Sequence, residues 1–218
     1  MSVLENTYKR CGSFLSKCAN TFVSLLKIAI RSKFGATLPA ATENTCIVLG
    51  NGPSLKDSLI KHPDFFKKHP LVCVNAFSLS GTYTELKPEY YVILDPNFWL
   101  TETDFVKNTL SAITQKTNWK LTLLLPQQAK KSALIRELCM TNTNVNVCYY
   151  NYTVFKGFQA VANRLYRKNL AMPQSQNVLV ASVFLSINIG FKEIYIVGAD
   201  HTWHQALHVD ENNRLCIK

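Results

Sequence analysis

The chain has 218 residues, 47% of them apolar and 17% charged, which supplies a sizeable core and excludes global disorder. Eight Gly and eight Pro exclude collagen-like and low-complexity architectures. Half of the net charge of +10 sits in residues 1–40, with six bases and one acid, so the body lacks the basic stripe of a nucleic-acid domain and no nucleic-acid partner is expected.

Residues 13–31 come first. On a helical wheel, Phe14, Leu15, Cys18, Phe22, Leu25, Leu26 and Ile30 share one half. Ser13, Ser16, Lys17, Asn20, Ser24, Lys27 and Arg31 lie opposite, and Ile28 is the one violator. Such a basic, amphipathic helix suits a membrane interface, a packed helix with solvated bases, or an acid-poor targeting segment. No continuous apolar run approaches the length of a membrane span, so no integral membrane segment is predicted. Thr37–Asn44 reads as a linker, which divides the chain into a basic N-terminal segment over 1–40 and one domain over 41–218.

Strands are predicted at Thr45–Leu49, Leu71–Val74, Tyr90–Leu94, Lys120–Leu125, Val145–Tyr150 and Glu193–Val197. Their near-continuous apolar character suggests a parallel sheet covered on both faces. Helices are predicted at Glu102–Thr117, Pro126–Thr141, Phe155–Asn169 and Asn177–Ile189. This alternation is that of an α/β fold: one Rossmann-like domain, a mostly parallel sheet flanked by helices, preceded by the amphipathic helix. The seven Cys (11, 18, 46, 73, 139, 148 and 216) form no CxxC pair. Their odd number, with no secretory cleavage pattern, suggests a reducing, cytoplasmic setting, with Cys46, Cys73 and Cys148 as small core hydrophobes.

Ligands of such sheets bind outside the carboxyl ends of the strands, where four unusual segments lie. Gly50-Asn51-Gly52-Pro53-Ser54-Leu55 follows the first strand. Its glycines permit a sharp turn and close approach, Ser54 with Asp57 forms a candidate capping box, and a helix starting there aims free N–H groups at an anion. Asn75 ends the second strand, as a cap or a contact to base or sugar. Asp95-Pro96-Asn97 ends the third, as a turn, a ribose contact, a metal ligand or an acid–base group. The last is Gly198-Ala199-Asp200-His201-Thr202-Trp203-His204, with His208 close behind. No Cys or Glu is placed to complete a zinc site, so no metal site is assigned and the histidines read as a general base, phosphate contacts or turn residues.

Together, Cys46–Leu55, Val72–Phe77, Val92–Asn97 and Gly190–Asp200 resemble bacterial lipooligosaccharide sialyltransferases and the related MptE-like (6-hydroxymethylpterin pyrophosphokinase-like) domains. The sialyltransferase resemblance implies a nucleotide-sugar donor, most simply a CMP-sugar, transferred to a cell-surface glycan. It places Gly50, Asn51, Gly52, Pro53 and Ser54 at the donor phosphate and sugar, and Asn75 at the nucleotide sugar. Asp95, with Pro96 and Asn97, takes a second position that is Asn in the family, and Asn177 remains a contact where the family has a T-S-G motif. The family's catalytic His lies further downstream than Lys218, so either His201, His204 or His208, near Asp200, substitutes or the domain is C-terminally incomplete. The MptE-like alternative implies a diphosphate transfer from ATP, with Mg²⁺ held by Asp95 and Asp200. A third reading is a non-catalytic nucleotide-binding domain. The lipid-linked acceptor of the first reading fits a location on the inner face of the membrane.

Overall fold

In the computed structural model, which describes residues 3–200 and 207–217, six parallel strands form one sheet. They are β1 (Thr45–Leu49), β2 (Leu71–Val74), β3 (Tyr90–Val92), β4 (Leu121–Pro126), β5 (Val145–Tyr150) and β6 (Glu193–Val197), in the order β5-β4-β3-β2-β1-β6. All six apolar runs are strands. In the third the ladder assignment stops at Val92, although Ile93 still donates to the Leu124 carbonyl at 3.1 Å. From β1 to β5 the chain winds one way, and β6 then returns to the far side of β1. The winding therefore reverses between β1 and β6.

Alternation along the strands divides the core into two layers. Ile47, Leu49, Cys73, Tyr91 and Leu123 face one layer. It is closed by α2 (Ser54–Lys61), α3 (Pro63–Lys68), α6 (Asp104–Lys116) and α7 (Ala133–Thr141), with two short helices, α4 (Tyr83–Leu86) and α5 (Asn97–Leu100). Cys46, Val48, Val72 and Val92 face the other layer, against Ala181, Leu185 and Ile189 of α9 (Val178–Ile189). Burial raises the Cys46 thiol to about 11 and pushes Cys73 up as well, so both remain protonated apolar groups. β6 departs from the two-sided burial expected of it: as an edge strand it leaves Tyr195 and Ile196 about half exposed.

Two predicted helices are shortened for local reasons. Pro126 pairs with Tyr150 at the end of β4, a 3₁₀ turn follows over Gln127–Lys131, and Ser132 then caps α7 by accepting the Ile135 N–H. The helix predicted from Phe155 begins at Gln159 as α8 (Gln159–Arg167), because the preceding segment is tied elsewhere. Phe155 donates to the Met172 carbonyl and Phe158 to Thr21 Oγ1. A hairpin of β7 (Leu207–Val209) and β8 (Leu215–Ile217) had no signal in the strand pattern; the Asp210 carboxylate holds its turn, accepting from the Asn212 and Arg214 N–H groups.

The N-terminal helix α1 (Val3–Arg31) docks by the side that the wheel marks as polar. Ser24 and Ile28 are each 3% exposed, and Ile28 packs with Phe155, Ala162 and Ala171. Ser24 Oγ donates to the Lys156 carbonyl and accepts the Lys156 N–H, both at 2.9 Å. Just past the helix, Ser32 Oγ lies 2.8 Å from Thr153 Oγ1 and from the Leu170 carbonyl. The violator of the amphipathic pattern is thus the residue that anchors the helix. Over Gly12–Arg31, α1 is also long and apolar enough to cross a membrane by length and composition, at a mean hydropathy of 1.2. Lys17 and Lys27, with the polar residues between them, interrupt this segment, so it holds no continuous apolar run of that length.

Glu89 carries the clearest pH dependence. Its carboxylate accepts the Leu71 N–H at 2.7 Å, yet burial pushes its pKa above the ordinary carboxylate range. The folded state therefore holds this proton to higher pH than the unfolded chain, in which it leaves at about pH 4. Stability is expected to fall as pH rises from there through the raised pKa. Urea melts across that window should show the slope, and Glu89→Gln, which keeps an acceptor for Leu71, should flatten it.

Candidate functional site

The loops after β1 and β6 meet where the winding reverses. Gly50 donates to the Val197 carbonyl at 2.7 Å and Gly52 to the Gly198 carbonyl at 2.9 Å. A Cβ on Gly50 would sit 2.7 Å from the Gly198 carbonyl carbon, and one on Gly52 would sit 2.7 Å from the Gly198 oxygen. Gly198 itself has φ +70, where a side chain is strained. These glycines serve the contact of two backbones.

Asp200 completes the crossing: its Oδ2 accepts the Ser54 N–H at 2.8 Å. A carboxylate at a helix N-terminus satisfies an orphan donor and complements the helix dipole. Leu55 N–H goes to the Gly52 carbonyl and Lys56 N–H to the Pro53 carbonyl. This corrects two expectations. The cap position is Pro53, with Ser54 already inside the helix, so no side-chain capping bond forms there among the described residues, and the first N–H groups of α2 already have acceptors inside the chain. Asp200 accordingly positions the loop.

Asn75 follows β2 in the left-handed region, at φ +45. The Tyr91 hydroxyl donates to its carbonyl and accepts the Ser78 N–H at 2.9 Å. The Asn75 side-chain oxygen is buried and has no hydrogen-bond partner among the described residues. Such an orphan costs about 1–3 kcal/mol. At the end of a central strand it is an acceptor that the described residues leave open.

A cleft of about 840 Å³ opens between the start of α2 and the segment after β2, and Gly50, Ser54 and Asn75 are not among the residues that line it. Asn51, Gly52, Pro53 and Lys56 line one wall, and Ala76, Phe77, Ser80 and Thr82 line the other. A second hollow, of about 290 Å³, is lined by Asn177, Val180, Ile196 and Ala199. Asn177 caps α9 by accepting the Val180 N–H at 3.1 Å. Asp95 accepts the Asn97 N–H at 3.0 Å in a local turn, Pro96 opens α5, and none of these three residues lines either hollow. The sheet places β3 three strands from β6, about 14 Å at ordinary strand spacing. Asp95 and Asp200 therefore follow strands that are not neighbours, whereas a Mg²⁺ pair needs oxygens about 2 Å from one ion.

His201 and His204 lie outside the described residues, and His208 is exposed on β7. Two residues of the site, Tyr91 and Lys56, had no mark in the sequence reading, and Gly198 was named there only as the start of the last segment. Tyr91 and Gly198 hold the two strand ends in shape, and Lys56 brings a cation to the cleft wall. Only Gly198, directly after an apolar strand, carried a local signal.

No protein-family profile and no curated protein matches the chain. Among solved structures, a MAf glycosyltransferase from Magnetospirillum magneticum AMB-1 is similar, with a TM-score of 0.52 and 14% identity over 86% of this chain. The chain spans 28% of that neighbour's length. At this identity the likeness is one of fold: the six-stranded α/β domain has an architecture also present in a glycosyltransferase.

Proposed function

We propose that this domain is a nucleotide-sugar-dependent glycosyltransferase, sialyltransferase-like, acting on a cell-surface glycan. The observation that carries the reading is the crossing of β1 and β6 at the reversal of the winding, with a cleft opening beside it. Open α/β sheets take their ligands at that point. The cleft has the size of a nucleotide site, and a glycosyltransferase shares the fold. In this reading the nucleotide lies between Asn51–Pro53 and Ala76–Thr82, with Asn75 accepting from an amino or hydroxyl group. Asp200 already occupies the helix start, so Lys56 and the Asn51 amide meet the charge that develops on the leaving phosphate. The bond from the sugar to that phosphate breaks, the acceptor oxygen joins the sugar, and His201 or His204 takes the acceptor proton. The Mg²⁺-dependent pyrophosphokinase reading is weaker, because its Asp95–Asp200 pair is split across the sheet.

A thermal-shift titration with CMP, UDP, GDP and ATP, each with and without Mg²⁺, tests the proposal. Metal-independent stabilisation by CMP is expected, reaching about 2.7 kcal/mol at a hundredfold excess over Kd. Asn75→Ala should remove most of it while the fold is retained. Stabilisation by ATP only with Mg²⁺ would transfer the site to diphosphate chemistry, and silence from all four would overturn the nucleotide reading.

A further inference from the structure

The docking of α1 leaves an unusual surface. With Ser24 and Ile28 turned inward, Phe22 is 64% exposed, Leu26 48% and Ile30 82%, and Leu15 and Val23 are exposed beside them. An apolar stripe of this length on the outside of a folded domain is an interaction surface. Charge identifies the partner. Residues 12–34 hold Lys17, Lys27, Arg31 and Lys33 and no acid. The segment against which α1 packs, 151–171, holds Lys156, Arg164, Arg167 and Lys168, again with no acid. None of these eight bases makes an ion pair among the described residues.

We propose that α1 lies in the surface of an anionic lipid bilayer, fixed to the domain through its hydroxyl-bearing side with its apolar stripe among the acyl chains. Geometry favours lying over crossing. Polar anchors run from Thr21 to Ser32, about 16 Å along the axis, and hold this part of the helix against the domain. Gly157, at φ +140, lets the backbone of Thr21 approach this closely. A helix tied lengthwise in this way presents one face to an interface. The inference stands independently of the reaction assigned to the cleft.

Co-sedimentation of the full chain with phosphatidylcholine vesicles, with and without phosphatidylglycerol, provides the test. Binding is expected with the anionic lipid and should weaken with salt. Phe22→Ser with Leu26→Ser should weaken it at least tenfold with an unchanged melting temperature, since both side chains are exposed. Lys27→Ser with Arg31→Ser should weaken it roughly thirtyfold. A Phe22→Trp variant should show a blue-shifted emission on binding. Failure of the wild-type chain to bind would overturn the proposal. So would self-association that Phe22→Ser and Leu26→Ser abolish in the absence of lipid binding, since a second copy would then cover the stripe. Membrane association that resists both salt and alkaline extraction would overturn it in favour of a spanning helix.

Discussion

Gly50→Ala is expected to lower stability by about 3–4 kcal/mol, or on the order of 10 °C in melting temperature for a chain of this size. The added methyl would collide with the Gly198 carbonyl group, and its neighbours there are backbone atoms that cannot rotate away. Relief requires the loops after β1 and β6 to separate. That sacrifices the bonds from Gly50 to Val197 and from Gly52 to Gly198, each worth about 1 kcal/mol. It also draws Asp200 away from the Ser54 N–H and leaves the start of α2 uncapped. Gly81→Ala is the matched control: its methyl meets nothing within 4 Å, and Gly81 lines the same cleft. It should change stability by less than about 0.5 kcal/mol. Equal melting temperatures for the two variants would show that the crossing is looser than its geometry. A large loss at Gly50 alone would establish the glycine-packed contact as the keystone of the site.

The sheet was legible because its information is local. Thr45–Leu49, Leu71–Val74 and Val145–Tyr150 are apolar runs closed by Gly, Asn or Pro, and each is a strand with the expected ends. Helix ends were less legible where one residue decides them, as Ser132 does for α7. The Gly-rich and Asn- or Asp-bearing segments that follow the apolar strands are likewise visible in one dimension. What they do was not visible. The partner of the Ser54 N–H lies 146 residues away at Asp200, and no local pattern states that a carboxylate fills the start of that helix. The spread of Asp95 and Asp200 over β3 and β6 follows from strand order, which periodicity leaves open. For α1 it is the packed-helix reading of the wheel that fails, for a different reason. It equates apolar with buried, whereas α1 docks through Thr21, Ser24 and Ser32 hydroxyls around one Ile28 and turns most of its apolar surface outward.

Tyr91→Phe is expected to cost about 2–4 kcal/mol, through an effect that no sequence pattern announces. Tyr91 is wholly buried, and burial holds its phenol well above the usual range, so the hydroxyl is a neutral donor and acceptor at any working pH. It donates to the Asn75 carbonyl and accepts from Ser78, a residue that is itself buried. Removing one oxygen takes a hydrogen bond from the Asn75 carbonyl and one from the buried Ser78 N–H, each at about 1–3 kcal/mol, less the desolvation of the lost hydroxyl. It also releases the restraint on a left-handed Asn75, so its unpartnered side-chain oxygen loses its fixed direction. Tyr150→Phe is the comparison, because the Tyr150 hydroxyl is equally buried but makes a single bond among the described residues, to the Ile93 carbonyl at 3.1 Å. It should cost about 1 kcal/mol and leave nucleotide-induced stabilisation unchanged. The two variants separate stability from site geometry. If Tyr91→Phe weakens nucleotide binding and Tyr150→Phe does not, the Asn75 conformation is part of the site. If both variants lose stability alike and bind alike, the strain at Asn75 belongs to the turn, and the cleft must hold its ligand through Asn51 and Lys56.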